Sequence, residues 1–338
     1  AVHDLGFGTL EISSQSAGDE PSGSISEVLE AMAQPLPIQF KSVRGERVVW
    51  HSAPDDASRE IQALELSAAW FKSLEFEDVD AALAAPGMRL RGRIELGLET
   101  PFPLAADLGV EVEPLADMGL DEPVMLTVLV DGNLRELRLE VQAEEPAVAL
   151  RGTLNGLEDT PSWDLQMLAE RLPWPLGSEE GVLLDELTAG SYGWIDEYGL
   201  EIEARFGERS PLGFSGLRGR LVGAGDMDGL QIDVLDLSSD AMALEGSGRL
   251  DWSENLEARV GVDIERIEPA PWFAAWGEAP PVSGRLDLAW REGRIEFTGR
   301  DFEAVGTIGR LGGSGSLDPD DGRVEAALDW RKLNWPPG

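Results

Sequence analysis

Residues 242–252 read Met-Ala-Leu-Glu-Gly-Ser-Gly-Arg-Leu-Asp-Trp, and residues 256–264 read Leu-Glu-Ala-Arg-Val-Gly-Val-Asp-Ile. In both runs the even positions are apolar or glycine: Met242, Leu244, Gly246, Gly248, Leu250, Trp252, then Leu256, Ala258, Val260, Val262, Ile264. The odd positions are mostly charged or small, as at Glu245, Arg249, Asp251, Glu257, Arg259 and Asp263. A period of two puts the apolar side chains of a strand on one face and the polar ones on the other. The short polar link between the runs makes the pair a hairpin.

The same alternation recurs along the chain. Strands are predicted at Leu5–Ile12, Ile38–Trp50, Leu64–Trp70 and Met88–Leu98. From residue 124 onward a meander is predicted through Val124–Val130, Leu134–Val141, Val148–Leu154, Trp163–Met167, Ile202–Phe206, Leu217–Leu221 and Leu230–Leu237. It continues past the hairpin with Val282–Trp290, Ile295–Thr298 and Val324–Trp330. Turn dipeptides fall between runs, at Asp131-Gly132, Asn155-Gly156, Asp228-Gly229, Glu292-Gly293 and Asp321-Gly322. Strands at this spacing with glycine-rich turns specify an antiparallel all-β fold. In Leu230–Leu237 the apolar parity switches after Val234, which predicts a bulge. One helix is predicted over 24–33. Ser24 and Glu27 form a capping box, Ile25, Val28, Leu29 and Met32 form an apolar stripe, and Pro35 and Pro37 stop it.

Composition narrows the function. The 338 residues hold 27 basic and 64 acidic side chains, a formal charge of −37. Phosphate backbones and anionic headgroups need Lys/Arg clusters, so nucleic acid and electrostatic membrane adsorption are disfavoured. An acidic, soluble surface explains the charge, and so does a cationic partner. With 42% hydrophobic residues this is not a disordered acidic tail. Without cysteine there are no thiolate metal sites, thiol nucleophiles or disulfides. No long apolar run marks a signal peptide or a membrane span. Ala1 opens in mid-pattern, so the chain is expected to be a fragment from which an anchor or leader is missing.

Segments of the chain echo one another: Leu90-Arg-Gly-Arg-Ile94, Leu150-Arg-Gly-Thr-Leu154 and Leu244–Leu250 share a pattern. Trp163-Asp-Leu leading to Leu172-Pro-Trp-Pro175 is echoed by Leu328-Asp-Trp leading to Leu333-Asn-Trp-Pro336. Imperfect repeats of one unit imply an elongated stack. Gly-x-Gly-x-Leu-Asp-Trp (Gly246–Trp252), Asp263–Trp272 with Trp276 following, the Trp-Pro closures at Trp174 and Trp335, and Pro37–Trp50 together resemble the AsmA-like superfamily, most closely its TamB branch. The resemblance covers nearly the whole chain. It implies a bent, open antiparallel β-sheet lined with apolar side chains, with residues 1–123 as an AsmA-like portion and 124–338 as a TamB-like meander. It further implies a periplasmic bridge-like carrier of phospholipid between inner and outer membrane, contributing to outer-membrane assembly. The inner-membrane anchor and the C-terminal region that binds a TamA-type barrel are expected to be absent here.

Bending strands across the middle requires glycine or bulges there, and Gly92, Gly219, Gly246, Gly248 and Gly284 occupy such places. The candidate groove residues are Leu244, Leu250, Trp252, Val260, Val262, Ile264, Leu286, Leu288 and Trp290. Parity puts them on one side of their strands. It leaves open whether that side is a trough or a closed core, since both produce the alternation. Eleven tryptophans beside two tyrosines fit a trough rim or the capping of sheet edges equally well.

Catalytic chemistry finds little purchase. His3 and His51 are the two histidines, and neither has an evident nucleophile or carboxylate arrangement. Gly312-Gly-Ser-Gly-Ser316 misses the nucleophile-elbow pattern at its last position, and no phosphate or dinucleotide loop is present. Asp226-Met-Asp-Gly229 and Asp318–Gly322 lack the acid that closes a calcium loop and read as Asp-Gly turns. The sequence therefore predicts no enzyme, no cofactor and no metal. Two other readings stay open: a scaffold or chaperone that engages barrel strands at an exposed sheet edge, and a β-solenoid carbohydrate enzyme.

Overall fold

Alternating apolar and polar side chains fold here into long hairpins, each strand pairing with its neighbour in sequence. The computed structural model describes residues 2–13, 25–34, 36–51, 59–83, 87–114, 122–158, 160–174, 182–207, 215–253, 255–268, 280–291, 293–304, 310–318 and 323–331. The predicted cap Ser24, the side chains of Trp50, Trp174 and Trp330, the whole of Trp272, Trp276 and Trp335, the two histidine side chains, and the turn residues Glu292, Asp321 and Gly322 lie outside the described residues.

The chain forms two compact units. The first spans residues 1–169 and 176–178, and contains the 123/124 boundary implied by the resemblance. Its strands are β1 (Val2–Ser13), β2 (Ile38–His51), β3 (Arg59–Trp70), β4 (Ser73–Leu83), β5 (Met88–Gly97), β6 (Pro103–Val112), β7 (Val124–Asn133), β8 (Glu136–Ala143), β9 (Ala147–Asn155) and the first part of β10 (Ser162–Trp174). The second unit contains the end of β10 and then β11 (Val182–Trp194), β12 (Glu197–Phe206), β13 (Arg218–Gly225), β14 (Gly229–Ser239) and β15 (Met242–Asp251). It continues through β16 (Glu257–Ile267), β17 (Val282–Arg291), β18 (Arg294–Ala304), β19 (Arg310–Asp318) and β20 (Arg323–Arg331). From β2 to β9 and from β11 to β20 every pairing is antiparallel and joins consecutive strands. Among the described residues the fold is all-β, with an open sheet and one short helix.

One pairing departs from the antiparallel expectation. β1 runs parallel to β2, with Phe7 opposite Gly45 and Leu10 opposite Val48. Parallel neighbours need a crossover of a dozen or more residues. The segment from residue 14 to 37 supplies it and contains the helix, α1 (Ile25–Met32).

The apolar stripe predicted for α1 divides. Leu29 is buried and Met32 is half-buried, against Leu98, Phe102, Leu134, Trp70, Leu74, Leu96 and Leu157. Ile25 and Val28 are exposed. Two backbone anchors hold the helix end: the Trp70 indole donates to the Met32 carbonyl (2.7 Å), and the Gln34 amide donates to the Phe71 carbonyl (3.1 Å). The predicted bulge is present. Ile232 faces Gly248 and Leu235 faces Gly246, so Asp233 and Val234 together oppose Ser247. The extra residue turns Val234 outward and returns Leu235 and Leu237 to the face of Leu230 and Ile232.

Candidate functional site

The registers of the second unit align apolar residues in rows that cross the strands. One row runs Leu230, Leu250, Ala258, Trp290, Ile295, Leu317, Val324 from β14 to β20. The next runs Ile232, Gly248, Val260, Leu288, Phe297, Gly315, Ala326. A third crosses all ten strands: Ala189, Ile202, Leu221, Leu235, Gly246, Val262, Leu286, Gly299, Gly313, Leu328. A fourth holds Leu237, Leu244, Ile264 and Gly284. These four rows carry no charged or polar side chain. At about 4.8 Å between strands, the ten-strand row is about 43 Å long.

Eight of the nine candidate residues fall in these rows: Leu244, Leu250, Val260, Val262, Ile264, Leu286, Leu288 and Trp290. The ninth, Trp252, lies just past the end of β15. Its indole N–H donates to the Met227 carbonyl (2.8 Å) and its amide to the Asp228 carbonyl (2.9 Å). It ties the β15–β16 turn to the β13–β14 turn.

Along β15 to β17 the face changes from closed to open, while Leu230 and Ile232 of β14 stay buried (6% and 4% exposed). At one end Leu217, Met242, Leu244, Val262 and Ile264 are buried together, with Phe302, Ile267 and Leu237 packed against them. In the middle Leu250, Val260, Leu286 and Leu288 are half-buried. At the other end Trp252 and Trp290 are 40% and 39% exposed. Tyr198 lies on this face, with its ring over Gly225. Burial, and then the nearby Asp226 charge, raise its phenol above the usual tyrosine range.

The first unit has apolar rows of its own. In the first unit Trp70, Leu74, Leu96, Leu104, Gly132, Leu137 and Leu154 form a row, and Phe76, Ile94, Ala106, Val130, Leu139 and Gly152 form the next. The signal for these was already present in the alternation of Met88–Leu98 and Val124–Val130.

The opposite face is ionic. Arg285 pairs with Asp263 (2.6 Å), Arg300 with Asp287 (2.9 Å), and Arg220 with Glu201 (2.7 Å) and Glu203 (3.3 Å). The Asp263 hydrogen bond holds the Arg285 guanidinium above its ordinary pKa. In the first unit Arg89 grips Asp80 through two hydrogen bonds (2.7 and 2.6 Å), and this lowers the Asp80 carboxyl pKa. A shallow cleft of about 380 Å³ on this face of the second unit is lined by Glu186, Arg205, Arg220 and Asp236.

Other chemistry resolves into structure. The Asp226 carboxylate accepts the amides of Asp228 (2.9 Å) and Gly229 (3.0 Å), which makes it an Asx turn. Among the described residues no group of three or more His, Asp or Glu is arranged to hold a metal, and no helix is long and apolar enough to cross a membrane.

Within each unit, antiparallel strands with apolar rows on one face and ion pairs on the other define a β scaffold that works through surface. The family described as "TamB, N-terminal domain" matches residues 12–294, and the chain belongs to that family. It is an envelope-associated, non-enzymatic family that works with TamA-type partners in outer-membrane assembly. Comparison with curated proteins and with solved structures returned no match.

Proposed function

We propose that the apolar face carries phospholipid acyl chains between the inner and outer membranes while the headgroups stay in water. The observation behind this reading is the ten-strand row without a polar side chain. At about 43 Å it exceeds the roughly 15 Å depth of one bilayer leaflet's hydrocarbon. Transfer from water favours burial by about 0.8 kcal/mol per methylene, so ten methylenes half-covered by the face gain about 4 kcal/mol. The half-buried middle, from Leu250 and Val260 to Leu286 and Leu288, is the segment offered to the chain. The buried cluster at Met242 and Leu244 forms its floor. In this reading the protein acts in the periplasm, and the nine candidate residues are groove-lining.

Mass spectrometry of the chain purified without detergent tests this. We expect bound phospholipid, at least halved by Val260→Arg with an unchanged melting temperature. A lipid-free parent, or an arginine variant that loads equally well, would contradict the reading.

A second reading, a scaffold for barrel strands, draws on β20. Among the described residues β20 pairs only with β19, and Val324 and Leu328 are 61% and 63% exposed. Such an edge accepts a further strand. Lipid-free protein that captures an amphipathic barrel-strand peptide would favour this second role.

A further inference from the structure

Each unit has a row of odd-to-even hairpin turns at one end of its strands, and the two rows are finished differently. In the first unit the β5–β6 turn supplies Leu98 and Phe102, the β7–β8 turn supplies Leu134, and an amphipathic helix, α1, covers them with Leu29 and Met32. The Thr100 hydroxyl of the β5–β6 turn donates to Glu30 of that helix (3.4 Å), and the Ser26 hydroxyl of the helix donates to Glu158.

In the second unit the β11–β12, β13–β14 and β15–β16 turns expose Ile195 (58%), Met227 (62%) and Leu256 (49%), with Trp252 spanning the last two turns. Residues 194–197 and 226–228 include four carboxylates, Asp196, Glu197, Asp226 and Asp228, and no lysine or arginine. Exposed apolar groups that line up over successive turns mark a contact surface more specifically than single exposed residues do.

We propose that these three turns form a ledge on which a partner protein docks a basic amphipathic helix. Spacing supports a helix. The turns recur every two strands, about 9.6 Å apart, and apolar residues seven apart on a helix recur about every 10.5 Å. A helix of about 15 residues therefore reaches all three anchors. Charge selects the partner. The acidic turns here complement lysine and arginine. The same acidity opposes an anionic membrane surface and a second copy of this chain, whose ledge would meet like charge. This inference is independent of the lipid reading, because the anchors Ile195, Met227 and Leu256 lie outside the nine groove residues, and Trp252 alone is shared.

The test uses the 338-residue chain and a fluorescent 18-residue peptide with leucines on one helical face and lysines on the other. Any polycation is drawn weakly to a chain of charge −37, so two variants separate the ledge from general attraction. Ile195→Gln/Met227→Gln keeps every charge, and Asp196→Lys/Glu197→Lys keeps every apolar anchor. We expect saturable one-to-one binding, weakened at least tenfold by either variant, with melting temperatures unchanged. A leucine/glutamate peptide of the same length should not bind. Equal binding to parent and Ile195→Gln/Met227→Gln would overturn the proposal, and so would equal binding of the glutamate peptide. Flotation with phosphatidylcholine vesicles that depends on Ile195 and Met227, without peptide binding, would also overturn it and assign the ledge to a bilayer surface.

Discussion

Glycine and aromatic residues act as partners on the apolar face. Phe7 lies over Gly45, Tyr198 over Gly225, Phe297 over Gly315, and Phe302 over both Gly284 and Gly299. A Cβ at any of these glycines would come within 2.4–2.6 Å of a ring atom. The absent side chain is the bed for the ring, so the row remains filled. Gly248 is crowded by backbone instead, since a Cβ there would lie 2.4 Å from the Arg259 carbonyl oxygen. Gly92 adds conformation to crowding: its φ is +149°, and a Cβ would meet the Asp107 carbonyl oxygen at 2.0 Å. Gly92→Ala should therefore cost about 1–3 kcal/mol of unfolding free energy, read from the denaturant midpoint. A change under a few tenths would contradict this account of the site. Charge at this scale acts weakly and with a definite sign. Arg89 depresses the Asp80 carboxyl pKa, so the stabilisation is present above the unfolded pKa, near 3.9, and is lost as pH falls through the lower folded value. The Asp80 side chain is 37% exposed and solvent-screened, so Asp80→Asn should lower stability at pH 7 by less than about 1 kcal/mol. The gap between parent and variant should close at low pH, and a gap unchanged at pH 2 would contradict the assignment.

At the scale of elements, legibility followed period. β15 and β16 alternate without interruption, and their registers match the parity read from the sequence, Leu244 opposite Ile264 and Gly246 opposite Val262. The β14 bulge was visible because two apolar runs of opposite parity abut at Val234 and Leu235. Four strands were not legible, each for a local reason. In β4 a bulge with Asp78 at positive φ breaks the period between Phe76 and Val79. β6 begins at Pro103, which reads as a break. In β11 alanine, serine and glycine hold the apolar-face positions at 189, 191 and 193. In β19 Gly313 and Gly315 hold them, under Leu328 and Phe297. β1 was legible as a strand, and only its parallel direction was hidden, because that depends on the crossover through α1. That helix offers a direct check. Trp70→Phe removes the indole donor to Met32 while keeping a ring against Leu29, and should cost about 1 kcal/mol. Hydrogen exchange at the Gln34 amide should quicken as the helix end loosens. Unchanged exchange would show that apolar contact alone holds the helix.

For the whole molecule, the division into two faces carries the function. The apolar rows join side chains far apart in sequence, so Ala189 and Leu328 share a row. Only pairing registers show that the nine residues singled out on β15–β17 belong to a surface that continues across the other strands of their unit. The sequence held the alternation but not the lateral order, and that is why the site read as three strands. It also could not distinguish the floor from the opening, since Val262 and Val260 have the same parity. The structure separates them: Val262 is 7% exposed and packed among Met242 and Ile264, and Val260 is half-buried between Gly248 and Leu288. The most direct test of the central claim uses two neighbouring positions on β17. A photoreactive side chain placed at Leu288 projects from the apolar face, and one at Asp287 projects from the ionic face. After irradiation in cells, phospholipid should be covalently attached at position 288 and absent at 287. Equal labelling at both positions, or none at 288, would contradict an apolar face that carries lipid.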